Sequence, residues 1–159
     1  MPERTPLSAC VITLNEADRI DACLESLAFC DEVVVVDSGS TDATRERAAA
    51  RGARVIEHAF EGFRAQKDFA VGEARHDWVL CLDADERVTP ALRASVETAR
   101  GAGFADAAGY RFARCTEYFG AFLRHGNAYP DRVLRLFDRR RGGWRAGREI
   151  HEHAVVEGK

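Results

Sequence analysis

The segment Trp78-Val79-Leu80-Cys81-Leu82 is apolar at every position and runs directly into Asp83-Ala84-Asp85-Glu86. A strand with one wet face alternates apolar and polar residues. A run that is apolar throughout reads as a strand buried on both faces, the condition of a parallel sheet covered by helices. Open sheets of that kind collect ligands beyond the carboxyl ends of their strands. The carboxylates that end this run therefore stand where chemistry is expected. In an extended chain a spacing of two puts Asp83 and Asp85 on the same side. Two such carboxylates suit a hard divalent cation that also grips substrate phosphates. A solvated acidic turn is the plainer alternative.

Three further runs repeat the pattern. Ser8 to Leu14 reads as the first strand and Glu32 to Val36 as the second. Ala53 to Glu57 is a short third, which makes the acidic run the fourth. Between them lie helical spacings. Asn15 is placed to cap a helix through about Ala28, carrying Ile20, Leu24 and Leu27. A second helix runs to Arg51 and ends at Gly52, a residue suited to left-handed termination. A third covers Phe63 to Ala74, burying Phe69 and Ala70. Thr89-Pro90 caps and opens a fourth, closed by Gly101. The order β-α-β-α-β-α-β-α with short connections predicts right-handed crossovers and an α/β, mostly parallel sheet covered by helices.

After Gly109 the character changes. Tyr110 to Arg114 and Arg132 to Asp138 read as strands, joined by an aromatic loop with Tyr118, Phe119, Phe122 and Tyr129, and His151 to Glu157 as another. Charge shifts as well: 12 basic residues oppose 20 acidic ones through Gly109, whereas 11 oppose 6 from Tyr110 onward. The second part thus suits something anionic, phosphates or a membrane surface, unless it is a solvated arginine face. No helix-turn-helix, finger or aromatic RNA-binding signature supports nucleic acid. The 46% apolar and 31% charged composition is that of a globular domain. No apolar run approaches the ~20 residues of a membrane span, and no signal peptide is evident. The expectation is a cytoplasmic location, or a peripheral one at the inner face of the cytoplasmic membrane. The five cysteines include no C-x-x-C pair, so a disulfide framework or zinc site is not expected.

A dinucleotide fold needs glycines after its first strand, and Leu14-Asn15-Glu16-Ala17-Asp18 has none. Asp37, at the end of the second strand, could accept hydrogen bonds from a nucleoside, or could simply cap a turn. Asp37 and the Asp83/Asp85 pair fall on one sheet edge, an arrangement that suits a nucleotide sugar: one end holds the nucleoside, the other a metal on the diphosphate.

The segments Val11-Ile12-Thr13-Leu14-Asn15-Glu16, VVVVDSGSTD (Val33 to Asp42) and LDADE (Leu82 to Glu86) resemble the family 2 glycosyltransferases of the GT-A fold. More narrowly, FCDEVVVVDSGSTD, the QKDFA of Gln66 to Ala70 and RLF…W…REIHEH resemble bacterial lipopolysaccharide-core β-glucosyltransferases, over about residues 8–157. The resemblance implies nucleotide-sugar contacts from Leu14, Asn15, Glu16 and Asp37. It implies a metal (Mg²⁺ or Mn²⁺) on Asp85, with Asp83 and Ala84 at the ribose and diphosphate and Asp83 as a second candidate metal ligand. The reaction implied is inverting transfer of a hexose, glucose from UDP-glucose, to a lipopolysaccharide-core or other cell-envelope glycan acceptor.

Inverting transfer needs a base for the acceptor hydroxyl. The family's Glu-Asp pair is missing after the D-x-D. The nearest counterpart is Glu149-Ile150-His151-Glu152-His153, which makes Glu152 the first candidate and His151 the second. Lys67 and the arginines of RVLRLFDRRR could grip phosphates, although Arg132 and Arg135 also read as solvated partners of Asp131 and Asp138. Trp144 could wall an acceptor pocket or be buried. A non-catalytic nucleotide-sugar-binding fragment and a haloacid-dehalogenase-type phosphatase are the alternatives. The chain is expected to form a single domain over 1–159. Residues 1–109 would be its nucleotide-sugar half, and about 110–159 the start of an acceptor half cut short of its natural C-terminus. Peripheral contact with an anionic membrane is a further expectation.

Overall fold

The computed structural model describes residues 3–145 and 153–157. Four β/α units open the chain. They are β1 (Leu7–Thr13), α1 (Ile20–Ser26), β2 (Glu32–Asp37), α2 (Thr44–Ala50), β3 (Arg54–Glu57), α3 (Phe63–Glu73), β4 (Trp78–Asp83) and α4 (Pro90–Gly101). Then come β5 (Gly109–Arg114), a small hairpin of β6 (Glu117–Tyr118) and β7 (Ala121–Phe122), and β8 (Asp131–Asp138). A second hairpin joins β9 (Gly142–Arg145) to β10 (His153–Val156). The main sheet has the order β3-β2-β1-β4-β8-β5. Its first four strands are parallel, while β8 is antiparallel to both β4 and β5. By direction, β5 therefore runs with β4, and both end on the same edge.

The apolar runs follow from burial on two faces. Ala9 and Val11 of β1, Val35 of β2 and Leu80 and Leu82 of β4 pack on one side with Ile20, Leu24, Ala48 and Val96 of the helices. The residues between them, Cys10, Val34, Val36, Val79 and Cys81, pack on the other with Ala70, Val71, Trp144 and Ala154. Helix α3 and the β9–β10 hairpin cover that second face together: Asp68 accepts a 2.9 Å hydrogen bond from the Trp144 amide, and Arg64 donates to the Trp144 carbonyl at 3.0 Å. Phe69 is only half-buried, stacked on His58 at 3.8 Å.

Helix ends match the sequence unevenly. The Thr89 hydroxyl accepts from the Leu92 amide at 3.1 Å with Pro90 following, and Gly52 is left-handed at φ 82°, both as expected. Gly101 is the last residue of α4, but the left-handed turn falls on Gly103 and Phe104. The first helix begins at Ile20 rather than at Asn15. Asn15 is itself left-handed, at φ 53°, a conformation asparagine tolerates better than most residues. Its amide oxygen is taken by the Thr41 backbone at 2.8 Å, so it cannot cap.

One buried cation ties the amino-terminal ends of the strands. The Arg100 side chain is fully covered. It donates to the carbonyls of Thr5 (2.6 Å) and Phe29 (3.0 Å) and pairs with Asp31. Asp31 also accepts from the Leu7 amide at 2.8 Å and pairs with Arg4 at 3.0 Å. Burial alone would raise the Asp31 carboxyl, but the Leu7 amide and the two guanidiniums outweigh it and hold it below the usual carboxylate range. Asp31→Asn should destabilise the fold by about 2–3 kcal/mol at neutral pH, because Arg100 then stays buried without its counter-charge. A carboxyl with a lowered folded value contributes stability above its unfolded value of ~3.9 and loses it as pH falls through the folded one. Urea denaturation at pH 7 and pH 3 should therefore show the gap between the variant and the parent protein closing in acid.

Candidate active site

The carboxyl ends of β1, β2 and β4 form one edge, and three loops meet there. The loop after β2 is organised by Asp37, which is completely buried. Its carboxylate accepts from the Gly39 amide at 2.9 Å, the Ser40 amide at 2.8 Å and the Ser40 hydroxyl. The same loop is stitched to the turn after β1. Asn15 N donates to the Ser40 hydroxyl at 2.8 Å, Glu16 N to the Thr44 hydroxyl at 2.8 Å and Ala17 N to Asp42 at 3.1 Å. Two glycine-poor loops thus hold each other by side chain and backbone, with Leu14 left half-exposed on the rim. Asp37 thus builds this loop from within.

Strand β4 stops at Asp83, and Ala84-Asp85 form a turn closed by Glu86 N donating to the Asp83 carbonyl at 2.9 Å. The alternation expected to align Asp83 with Asp85 does not extend past the strand end, and the two carboxylates have different surroundings. Asp83 lies 3.4 Å from Lys67 Nζ and 3.6 Å from Arg135 Nη2. These are ion-pair contacts: Asp83 Oδ1 is buried and lacks a hydrogen-bond donor among the described residues. Asp85 is exposed and has no hydrogen bond or ion pair among them.

Arg135 is not the solvated partner of Asp138 that the sequence suggests. It is buried, pairs with Glu86 at 3.1 Å as well as with Asp83, and lies over Trp144, its Cζ 5.6 Å from the ring centre. Asp138 instead takes Arg140, and Asp131 takes Arg114. Lys67 Nζ lies over the same Trp144 ring at 4.5 Å. Trp144 is buried and serves as the apolar backing on which two cations are held toward one carboxylate. A small cavity beside them is lined by Cys10, Ile12, Lys67, Cys81, Asp83 and Arg135. Arg135 Nη1 and Trp144 Nε1 are buried without hydrogen-bond partners among the described residues.

Gln66, which sequence reasoning left without a role, is fully buried. It donates to the Ser38 hydroxyl at 3.1 Å and to the His58 carbonyl at 3.2 Å, and its oxygen meets His58 Nδ1 at 2.8 Å. It pins the Asp37 loop to α3, one residue before Lys67 reaches Asp83. Its neighbourhood to Lys67 in the QKDFA segment was the available signal. Glu152 and His151, the candidate bases, lie outside the described residues.

The donor set bears on the metal. Among the described residues no three His, Cys, Asp or Glu side chains are grouped to hold an ion. An uncommitted carboxylate at Asp85 does fit a cation of the Mg²⁺ type, which takes one or two protein carboxylates and fills its shell with water and substrate phosphate. Thiolate chemistry is disfavoured: the Cys23 thiol, 3.8 Å from the Asp83 carbonyl, is pushed up to about 12 by burial, with Glu86, Asp85 and Asp83 adding to it.

Glu86 closes this arrangement, its Oε2 accepting from the Asp83 amide at 2.9 Å. Burial raises its carboxyl above the ordinary value and the Asp83 charge adds to the rise, against the opposing pull of Arg135 and Arg114. A raised carboxyl stabilises the fold below its unfolded value of ~4.3, and that contribution is lost as pH rises through the folded value. Glu86→Gln, which keeps the accepting oxygen, should thus gain stability relative to the parent protein between pH 4 and pH 7. Melting curves across that range would show it.

The family model described as Glycosyl transferase family 2 matches residues 8–155. The chain is 36% identical over 163 aligned residues to the lipopolysaccharide core biosynthesis glycosyltransferase LpsC of Rhizobium meliloti (strain 1021), covering 99% of this chain and 60% of LpsC. It is 42% identical to an uncharacterized glycosyltransferase of Rickettsia bellii (strain RML369-C) over 92 residues, 57% of this chain and 31% of the relative. It therefore spans between about a third and three-fifths of these relatives. Among solved structures, S. aureus TarS overlays with a TM-score of 0.51 at 25% identity, over 67% of this chain and 21% of TarS. A mostly parallel sheet covered by helices, as the GT-A resemblance implied, accompanies a family match over nearly the whole chain: the chain belongs to glycosyl transferase family 2.

Proposed function

We propose that the chain is the donor-binding part of an inverting, metal-dependent hexosyltransferase. In this reading it transfers glucose from UDP-glucose to a lipopolysaccharide-core or other cell-envelope glycan acceptor. The observation that carries the reading is the division of labour at the end of β4: Asp83 is paired with two cations, while Asp85, two residues on, is exposed and uncommitted. Support for the acceptor class comes from LpsC, whose name assigns it to lipopolysaccharide core biosynthesis.

In this reading the loop that Asp37 organises receives the nucleoside, with Leu14, Asn15 and Glu16 along the adjoining rim. Asp83, whose side chain is partly exposed beside its buried Oδ1, accepts from a ribose hydroxyl, and Ala84 lets the chain turn beside the diphosphate. Lys67 and Arg135 offset the phosphate charge. Asp85 holds a divalent cation, with Asp83 the second candidate ligand. That cation supplies Lewis-acid neutralisation of the leaving diphosphate. The acceptor oxygen bonds to the anomeric carbon as the sugar's bond to the diphosphate oxygen breaks, UDP departs, and the hydroxyl proton passes to Glu152 or His151.

Calorimetric titration of UDP with and without Mn²⁺ tests this. The parent protein should bind more tightly with the metal. Asp85→Asn should lose that gain, a drop of about tenfold or more, with an unchanged melting temperature, since the side chain is exposed and makes no hydrogen bond or ion pair among the described residues. Metal-dependent affinity that survives the substitution would remove Asp85 from the role. Binding of UDP-glucose without transfer to any acceptor would favour a binding module over an enzyme.

A further inference from the structure

The connection between β5 and β8, residues 115–130, has no place in the reading above, and it carries an unusual surface. Among the described residues nine large hydrophobic side chains are exposed, and five of them are here: Tyr118, Phe119, Phe122, Leu123 and Tyr129. Phe119 is 93% exposed. Its backbone is left-handed at φ 48°, followed by Gly120 at φ 78°, so the pair forms the tip of the β6–β7 hairpin with both φ values positive. Two-residue turns of that kind favour Asn-Gly or Asp-Gly, and a bulky aromatic there is disfavoured. Phenylalanine at this tip thus opposes both local backbone preference and solubility. Tyr118 packs edge-on against it at 4.6 Å, and Arg124 lies 5.9 Å from the Phe122 ring centre.

The surroundings identify the partner. Arg111, Arg114, Arg124 and Arg132 are all exposed around this segment. Arg114 and Asp131 neutralise each other, which leaves Arg111, Arg124 and Arg132 against Glu117. An exposed aromatic tip with exposed arginines on its flanking segments is matched to the boundary of an anionic bilayer, where rings enter the headgroup layer and guanidiniums meet lipid phosphates. Direction supports the same orientation. Strand β5 runs with β4, so the hairpin leaves the sheet on the edge that carries Asp83, and Arg114 at its base lies 3.8 Å from Glu86. We propose that residues 118–124 dock on an anionic membrane surface, with Phe119 as the inserted side chain. The candidate site would then face the lipid headgroups, where a membrane-borne acceptor would be presented. This inference does not depend on the transferase reading.

Vesicle co-sedimentation tests it, with phosphatidylcholine vesicles compared with vesicles that also contain phosphatidylglycerol. The chain should bind the anionic vesicles, more weakly at high salt, and bind the neutral ones poorly. Phe119→Asn makes the tip Asn-Gly, so the hairpin and the melting temperature should be preserved or improved. Vesicle binding should nevertheless fall by about tenfold or more, the loss expected for one inserted ring. Arg124→Gln should reduce the preference for anionic over neutral vesicles. Sedimentation velocity without lipid supplies the competing outcome: concentration-dependent dimerisation abolished by Phe119→Asn would make a second copy the partner and overturn the proposal. So would an absence of binding to anionic vesicles, or equal binding by parent and variant.

Discussion

Strands β1, β2 and β4 are covered on both faces and carry their charges at their ends. That constraint arranges this molecule. The interiors of β1, β2 and β4 are apolar because each alternate residue enters one of two cores. Their polar side chains lie toward the ends, Ser8 and Glu32 at the amino side and Asp37 and Asp83 at the carboxyl side. There the interior still partly excludes water, so ion pairs and hydrogen bonds are stronger than on an open surface. The same exclusion makes an unpaired charge costly, and both carboxylates are accordingly engaged, one by amides and a hydroxyl, the other by two cations. Asp85 escapes the requirement because the strand has already ended.

Trp144 belongs to that logic from the opposite direction. Lys67 comes from α3 and Arg135 from β8, a helix and a strand far apart along the chain. The indole gives both cations a shared polarisable face, and its position is fixed by Asp68 and Arg64 on α3. The hairpin that carries it closes the second core over Ala70 and Val71. Covering the sheet and holding the two cations are thus one structural act.

The strands of the main sheet and most helix ends were legible because their signals are local, whereas β6, β7 and β9 were not. Continuous apolar runs, Thr89-Pro90 and Gly52 each state their own conformation. The start of α1 was not, since Asn15 reads as a cap until the loop after β2 is present to claim its amide. Arg100 looked like any arginine near the end of an amphipathic helix. Its burial depends on Thr5, Phe29 and Asp31, which lie about 70 to 95 residues away along the chain. Arg135 failed for a related reason. Asp138 is near it in sequence, but an antiparallel pairing with β4 carries it to Asp83 and Glu86 instead. Position along the edge was therefore readable for Asp37, Asp83 and Asp85, whereas partnership was not. The antiparallel return of β8 was likewise invisible, because an apolar run does not record its direction.

Helix α3 is wired at four consecutive positions. Gln66 fastens the loop after β2, Lys67 faces Asp83, Asp68 holds the β9 backbone and Phe69 stacks on His58. Successive helical side chains diverge by about 100°, so these four radiate to different parts of the molecule from a single turn. A helix used in this way acts as a spindle. It cannot rotate or slide without releasing the loop after β2, the strand-end carboxylate and the covering hairpin together. Any change of shape at this edge must then come from the loops around it, and a single residue inserted between Phe63 and Gln66 would scramble the whole edge at once.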